Sequence, residues 1–289
     1  MNEMLKVKSL EYSYKSLTGK KLFSIENIDF QISPGYIYGL VGRNGAGKTT
    51  LIKTILKGNF KKGAVWVDDL SMVQNPVKTK EKMGFIIYPE MMLRNRTAYE
   101  NGHIFGNLYP DWNQERYVHK LKEFGVDMDV NLSELSKGNE MKVMAAFAWG
   151  HRPEILFADE PSAGFDPVFR KEFLRFLQEY VEDGNHSVLI STHITEDLDK
   201  VADYLLIMDE GKMVLNSSME DIRDSYTMVK CSRTQFDRLK ESIASDCLVG
   251  VKYKGDNVEA LLKSADENIW RCEVWKPQVS ELLRYVIMK

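Results

Sequence analysis

The chain has 289 residues, of which 44% are hydrophobic and 28% charged, and its formal net charge is −3. That composition supports one large core or two modest ones and excludes a disordered chain; the near-neutral charge argues against a nucleic-acid partner. Three cysteines, Cys231, Cys247 and Cys272, fall in the last quarter without metal-type spacing and read as reduced thiols of a cytosolic protein. The opening residues are charged and alternating, unlike a signal peptide, and no stretch approaches the roughly 18 apolar residues needed to cross a bilayer. Any work at a membrane therefore runs through a partner.

Taken in chain order, residues 5–32 alternate: Leu5 and Val7, then Leu10, Tyr12 and Tyr14, then Ile28, Phe30 and Ile32. This pattern predicts half-buried antiparallel strands, which residues 64–67 join. Residues 37–41, 155–158, 188–190 and 205–208 are instead short, continuous apolar runs, the form of parallel strands buried on both faces. Residues 89–152 read as an all-helical insertion. A helix follows from Pro167 to about Asp183, with Asp166 as N-cap, Pro167 at its first position and Gly184 as its stop. Strand–helix alternation of this kind predicts an α/β fold with a mainly parallel sheet. After residue 218 the pattern changes. Val249, Val251 and Tyr253 alternate, as do Trp270, Cys272 and Val274, whereas Phe236, Leu239 and Ile243 keep helical spacing, as do Val279, Leu282 and Val286. Residues 219–289 are read as a small α+β appendage to the domain at 1–218.

Gly42-Arg43-Asn44-Gly45-Ala46-Gly47-Lys48-Thr49 fits the phosphate-loop pattern G-x-x-x-x-G-K-[ST]. It follows a buried strand and opens a helix, a context that weighs against a glycine-rich turn with a solvated lysine. The glycines let backbone N–H groups curl around phosphates at a helix N-terminus. Gly42, Asn44, Gly45, Ala46, Gly47, Lys48, Thr49 and Thr50 form the candidate cradle. Lys48 reaches the β- and γ-phosphates, and the Thr49 hydroxyl is a candidate Mg²⁺ ligand. The strand at 155–158 ends in Asp159 and Glu160. Ligands of open α/β sheets bind beyond the carboxyl ends of the strands, so both acids are expected at the crevice. Asp159 suits the Mg²⁺ shell and Glu160 a general base for an attacking water.

The ordered motifs resemble the ATPase subunit of ATP-binding-cassette (ABC) transporters. Leu135-Ser136-Lys137-Gly138-Asn139 occupies the place of that family's LSGGQ signature, residues 161–166 that of its D-loop, and Ser191-Thr192-His193 that of its histidine switch. The resemblance, over residues 5–218, implies a P-loop cassette with an N-terminal antiparallel sheet and a helical insertion. It implies that Ser136 and Gly138 contact the γ-phosphate of ATP held by a second subunit, identical or not, and that His193 holds the water near Glu160. Tyr14 stands where the family stacks an aromatic on adenine, though packing of an alternating strand explains it equally. Two departures stand out: Tyr88 replaces the usual glutamine, which makes metal coordination less complete, and Lys137 and Asn139 alter the signature.

The resemblance further implies ATP and Mg²⁺ as ligands, a membrane-spanning permease as partner, and a peripheral place on the cytoplasmic face of the membrane. Tyr109-Pro110-Asp111-Trp112 and the LSKGN form look most like bacterial type-2 exporters, some of which move antimicrobial or phenol-soluble modulin peptides. In transporters of this family the insertion receives a permease helix, and Met91, Met92, Leu93, Tyr99, Phe105, Tyr109 and Trp112 suit a socket or the insertion's own core. The competing reading is a soluble ABC ATPase that remodels a ribosome or a nucleic-acid complex. The single cassette and short basic clusters weigh against it.

Overall fold

The computed structural model describes residues 3–15, 21–87, 92–162, 164–263 and 272–287. Tyr88, Met91, Ala163 and Trp270 lie outside them.

Strands β1 (Leu5–Lys15), β2 (Lys21–Ile32), β4 (Lys62–Val67) and β5 (Leu70–Ser71) make an antiparallel sheet in the order β2-β1-β4-β5. Leu5 faces Ile32 and Val67, and Val7 faces Phe30 and Val65, so the alternating apolar residues collect on one face. The second sheet holds β3 (Ile37–Val41), β6 (Met83–Ile86), β7 (Ile155–Asp159), β8 (Ser187–Ser191), β9 (Tyr204–Asp209) and β10 (Lys212–Ser218). Its order is β10-β9-β3-β8-β7-β6, parallel except for β10. Strand β3 explains why such runs are wholly apolar. Tyr38 and Leu40 enter a core shared with the first sheet and with α1 (Lys48–Lys57), while Ile37 and Val41 enter the core on the other face.

That other face is covered by helices. A short α2 (Pro76–Glu81) leads into β6, and the crossover from β6 to β7 carries α3 (Ala98–Gly106), α4 (Gln114–Glu123) and α5 (Lys137–His151). Each of these three starts on a side-chain cap. Thr97 and Glu100 form a reciprocal capping box on α3, Asn113 accepts from the Arg116 amide on α4, and Ser136 accepts from the Asn139 amide on α5. Trp112 locks the insertion together. A Cβ on Gly106 would lie 2.1 Å from its ring and one on Gly150 would lie 2.5 Å from it, so glycine at both places lets α3 and α5 close on the indole. Helix α6 (Pro167–Val181) buries Phe169, Phe173, Phe176, Leu177 and Tyr180 on its inner stripe, and α7 (Thr195–Val201) follows β8.

Beyond β10 lie α8 (Met219–Ser225), β11 (Tyr226–Ser232), α9 (Arg233–Ser242), β12 (Leu248–Lys254), β13 (Asn257–Lys263), β14 (Glu273–Trp275) and α10 (Val279–Ile287). Their sheet runs β12-β13-β11-β14. One face packs on α9 through Val229, Val258 and Phe236. The other joins the main core: Met228 and Leu261 meet Val279, Leu282 and Tyr285 of α10. The first amide of α10, that of Val279, donates to Asp199 Oδ1 on α7 at 2.9 Å.

Candidate nucleotide site

The phosphate loop leaves β3 and enters α1. Gly45 and Gly47 hold φ of +83° and +107°, in the left-handed region that a side chain strains to reach. Gly42 has a different reason: a Cβ there would sit 2.2 Å from the Met208 carbonyl oxygen on β9. The loop is tied down by Ala46, whose amide donates to the Arg43 carbonyl at 3.0 Å and whose carbonyl accepts from the Gly211 amide at 3.0 Å. Lys48 is buried and its Nζ donates to the Gly42 carbonyl at 2.9 Å and, more weakly, to that of Arg43 at 3.4 Å. The ammonium thus rests inside the curl. Asn44 and Thr49 are exposed and Thr50 is partly so.

Strand order brings the second half of the site to the first. β8 lies between β3 and β7, so the chain leaving all three emerges at one end. Asp159 closes β7 and its Oδ1 accepts from Ser191 Oγ at 2.5 Å. Glu160 then takes a φ of +48°, strained for a non-glycine residue, which turns its carboxylate off the strand line. Its amide donates to the Ser191 carbonyl at 3.0 Å, and its Oε2 accepts from the His193 amide at 3.2 Å and from the ring Nδ1 at 2.6 Å. Because a carboxylate only accepts, Nδ1 carries the proton in this contact. Ser191, which orients Asp159 and supports Glu160, was legible in the sequence only as part of the histidine-switch motif.

Ser136 caps α5 and is exposed, with its Oγ 3.2 Å from the Asn139 amide. Gly138 is buried in the first turn because a Cβ would come within 2.7 Å of the Gly164 carbonyl oxygen; signature and D-loop therefore touch within one subunit. Asp166 caps α6, accepting from Val168 and Phe169 amides at 2.9 and 3.0 Å, and these bonds hold its carboxyl below the usual range. A link absent from the sequence reading joins the two switch helices: Arg170 Nε on α6 donates to both oxygens of Asp197 on α7, at 2.8 and 3.0 Å.

Tyr14 is exposed and meets Tyr12 edge-to-face at 5.0 Å. Its cross-strand neighbour Phe23, unanticipated from sequence, is the ring beside the loop, 3.0 Å from where a Gly47 Cβ would stand. In the insertion, Met92, Phe105, Tyr109 and Trp112 belong to the core, whereas Leu93 and Tyr99, with Ile104 and Leu108, are exposed.

A glycine curl holding a buried lysine, and a strand-end acid pair backed by histidine, define a P-loop nucleotide-binding cassette. The ABC transporter family matches residues 25–163. The chain is 30% identical to the ABC transporter ATP-binding protein NatA of Bacillus subtilis, over 71% of this chain and 86% of that one. It is 28% identical to the energy-coupling factor transporter ATP-binding protein EcfA2 of Clostridium tetani, over 96% of both. It is also 30% identical to the bacitracin transport ATP-binding protein BcrA of Enterococcus faecalis, over 68% of this chain and 65% of that one. The ATP-binding cassette MJ0796, solved as a dimer with ADP and Pi, shares the fold with a TM-score of 0.67 over 75% of this chain and 99% of that one, at 21% identity. The chain belongs to the ABC transporter family as an ATP-binding subunit, and it is an ATPase.

Proposed function

We propose that two copies or near-copies of this cassette close head to tail on ATP and drive a permease that exports an amphipathic or antimicrobial peptide. The observation that carries the motor is the Glu160–His193 contact at 2.6 Å, at the same sheet end as the loop that holds Lys48. Lys48 and the loop amides bind the β- and γ-phosphates, and Tyr14 flanks the base. Glu160 accepts the proton of the attacking water, while His193 bridges that carboxylate and the γ-phosphate. Ser136 and the Gly138 amide, at the positive end of α5, bind the γ-phosphate presented by the partner subunit.

The oxygen donors Thr49 and Asp159 fit Mg²⁺, a hard ion that fills most of its shell with water and phosphate, and the described residues contain no cluster of three or more His, Cys, Asp or Glu suited to another metal. When bound, Mg²⁺ neutralises charge on the β- and γ-phosphates. Ser191 holds Asp159 in orientation for that role.

Residues 1–218 carry this motor and 219–289 form an accessory unit whose last helix braces α7. No described helix is long and apolar enough to cross a membrane. In this reading the chain sits at the cytoplasmic face and acts through a permease. Exposed Leu93, Tyr99, Ile104 and Leu108 offer the apolar surface for its coupling helix. The peptide cargo is supported by the bacitracin transport protein among the relatives, and the export direction by the Tyr109-Pro110-Asp111-Trp112 and LSKGN forms. Purification of the tagged chain from native membranes tests it: a multi-span protein should come with it, and ribosomes or nucleic acid in its place would contradict it. Loss of the chain should then sensitise cells to amphipathic peptides.

A further inference from the structure

The first turn of α5 carries a carboxylate that works against phosphate binding. Glu140 lies four residues after the Ser136 cap and its amide donates to the Ser136 carbonyl at 2.9 Å. Its side chain is only 2% exposed. One oxygen, Oε1, meets Arg94 Nη2 at 2.8 Å; the other is buried and unpartnered among the described residues. A helix N-terminus presents about half a positive charge. A full negative charge within the same turn cancels it unless a cation stands beside the carboxylate.

The position of Arg94 is fixed by the segment just ahead of the signature. Its carbonyl accepts from the Ser133 amide at 2.9 Å, and the Arg96 carbonyl accepts from the Leu132 amide at 2.9 Å. The fully buried Asn101 side chain binds Leu93 through both its amide and its carbonyl, at 2.8 and 3.0 Å. Arg94 is thus registered to the residues that lead into Ser136.

We infer that Arg94 is a positioning residue for the phosphate-binding end of α5: it neutralises Glu140, so that the Ser136 end attracts a partner's γ-phosphate. This rests on the head-to-tail reading above. Left uncompensated, the Glu140 charge lies about one turn and one contact from that phosphate. At about 10 Å and an effective dielectric near 20, it weakens the contact about fifteenfold.

The test compares the full-length wild type with Arg94→Gln, Glu140→Gln and the double variant. It measures ATP-dependent dimerisation, kcat, and the affinity of a fluorescent ATP analogue for the monomer. Arg94→Gln should weaken each of the two phosphate contacts about fifteenfold, lowering dimerisation by at least that factor and kcat with it, while monomer nucleotide affinity, set by Lys48, is unchanged. Glu140→Gln alone should bind its partner at least as well as wild type, and adding it to Arg94→Gln should restore both readouts. A merely structural pair would give two impaired single variants and no rescue, which overturns the inference, as does Arg94→Gln behaving like wild type. If the wild type itself fails to dimerise on ATP, it is the head-to-tail reading that falls, and the inference with it.

Discussion

The Arg170–Asp197 pair ties the D-loop helix to the histidine-switch helix, and its removal has a cost that can be bounded. The Asp197 side chain is only 3% exposed, so Arg170→Met strands a carboxylate where water does not reach it. Breaking a buried pair from one side costs about 3–5 kcal/mol. Protonation sets a ceiling. A carboxyl with an ordinary value near 3.9 takes up a proton at pH 7 for about 4 kcal/mol, and at pH 5 for about 1.5 kcal/mol. The loss in Arg170→Met should therefore reach at most about 4 kcal/mol at pH 7 and shrink as the pH falls to 5. Urea denaturation of both forms at the two pH values reads this directly. Adding Asp197→Asn should recover part of the loss at pH 7, because no charge is then left buried. A loss that is constant between pH 7 and 5, or a double variant no more stable than Arg170→Met, would refute the reasoning. Because α7 begins two residues after His193 and α6 is capped by Asp166, turnover should fall along with stability.

Gly42→Ala should cost about 10²-fold in ATP affinity, measured by equilibrium dialysis, because its methyl meets the Met208 carbonyl at 2.2 Å and the loop must move off the sheet. An affinity within threefold of wild type would show that the loop yields cheaply. Burial lowers the His151 imidazole to about 4, so the unfolded chain takes up a proton that the folded one refuses. That stability is complete above pH 6.5 and is lost as the pH falls toward 4, about 2 kcal/mol by pH 5. His151→Phe should flatten this part of the pH–stability curve, and an unchanged slope would place the acid sensitivity elsewhere.

The nucleotide site was legible because its signals are local. A buried run at 37–41 followed by GRNGAGKT is a strand, a curl and a helix start within thirteen residues, and the acids at 159–160 end another such run. The capping of α6 by Asp166 was equally local. What escaped was set by partners distant in sequence. Strand β13 buries apolar side chains on both faces, Val258, Ala260 and Leu262 toward α9 and Leu261 toward α10, with Glu259 breaking the run; β11 is sandwiched the same way, and neither was anticipated. Strand β10, which exposes Lys212, Val214 and Asn216, is held by pairing with β9. Four-residue β6 is too short to show a period. The pairing of Glu160 with His193 was legible only through the histidine-switch motif, whereas Gly138 with Gly164, Arg94 with Glu140 and Arg170 with Asp197 each join residues at least 26 positions apart and have no sequence signature.

Whether nucleotide joins two cassettes is tested most directly with Glu160→Gln. The amide keeps an oxygen to accept from His193 but cannot take a proton from water. Light scattering in MgATP should show this variant as a stable dimer that turns over no ATP and returns to monomer when Lys48→Ala is added. A species that binds ATP yet remains monomeric at every protein concentration would contradict the account.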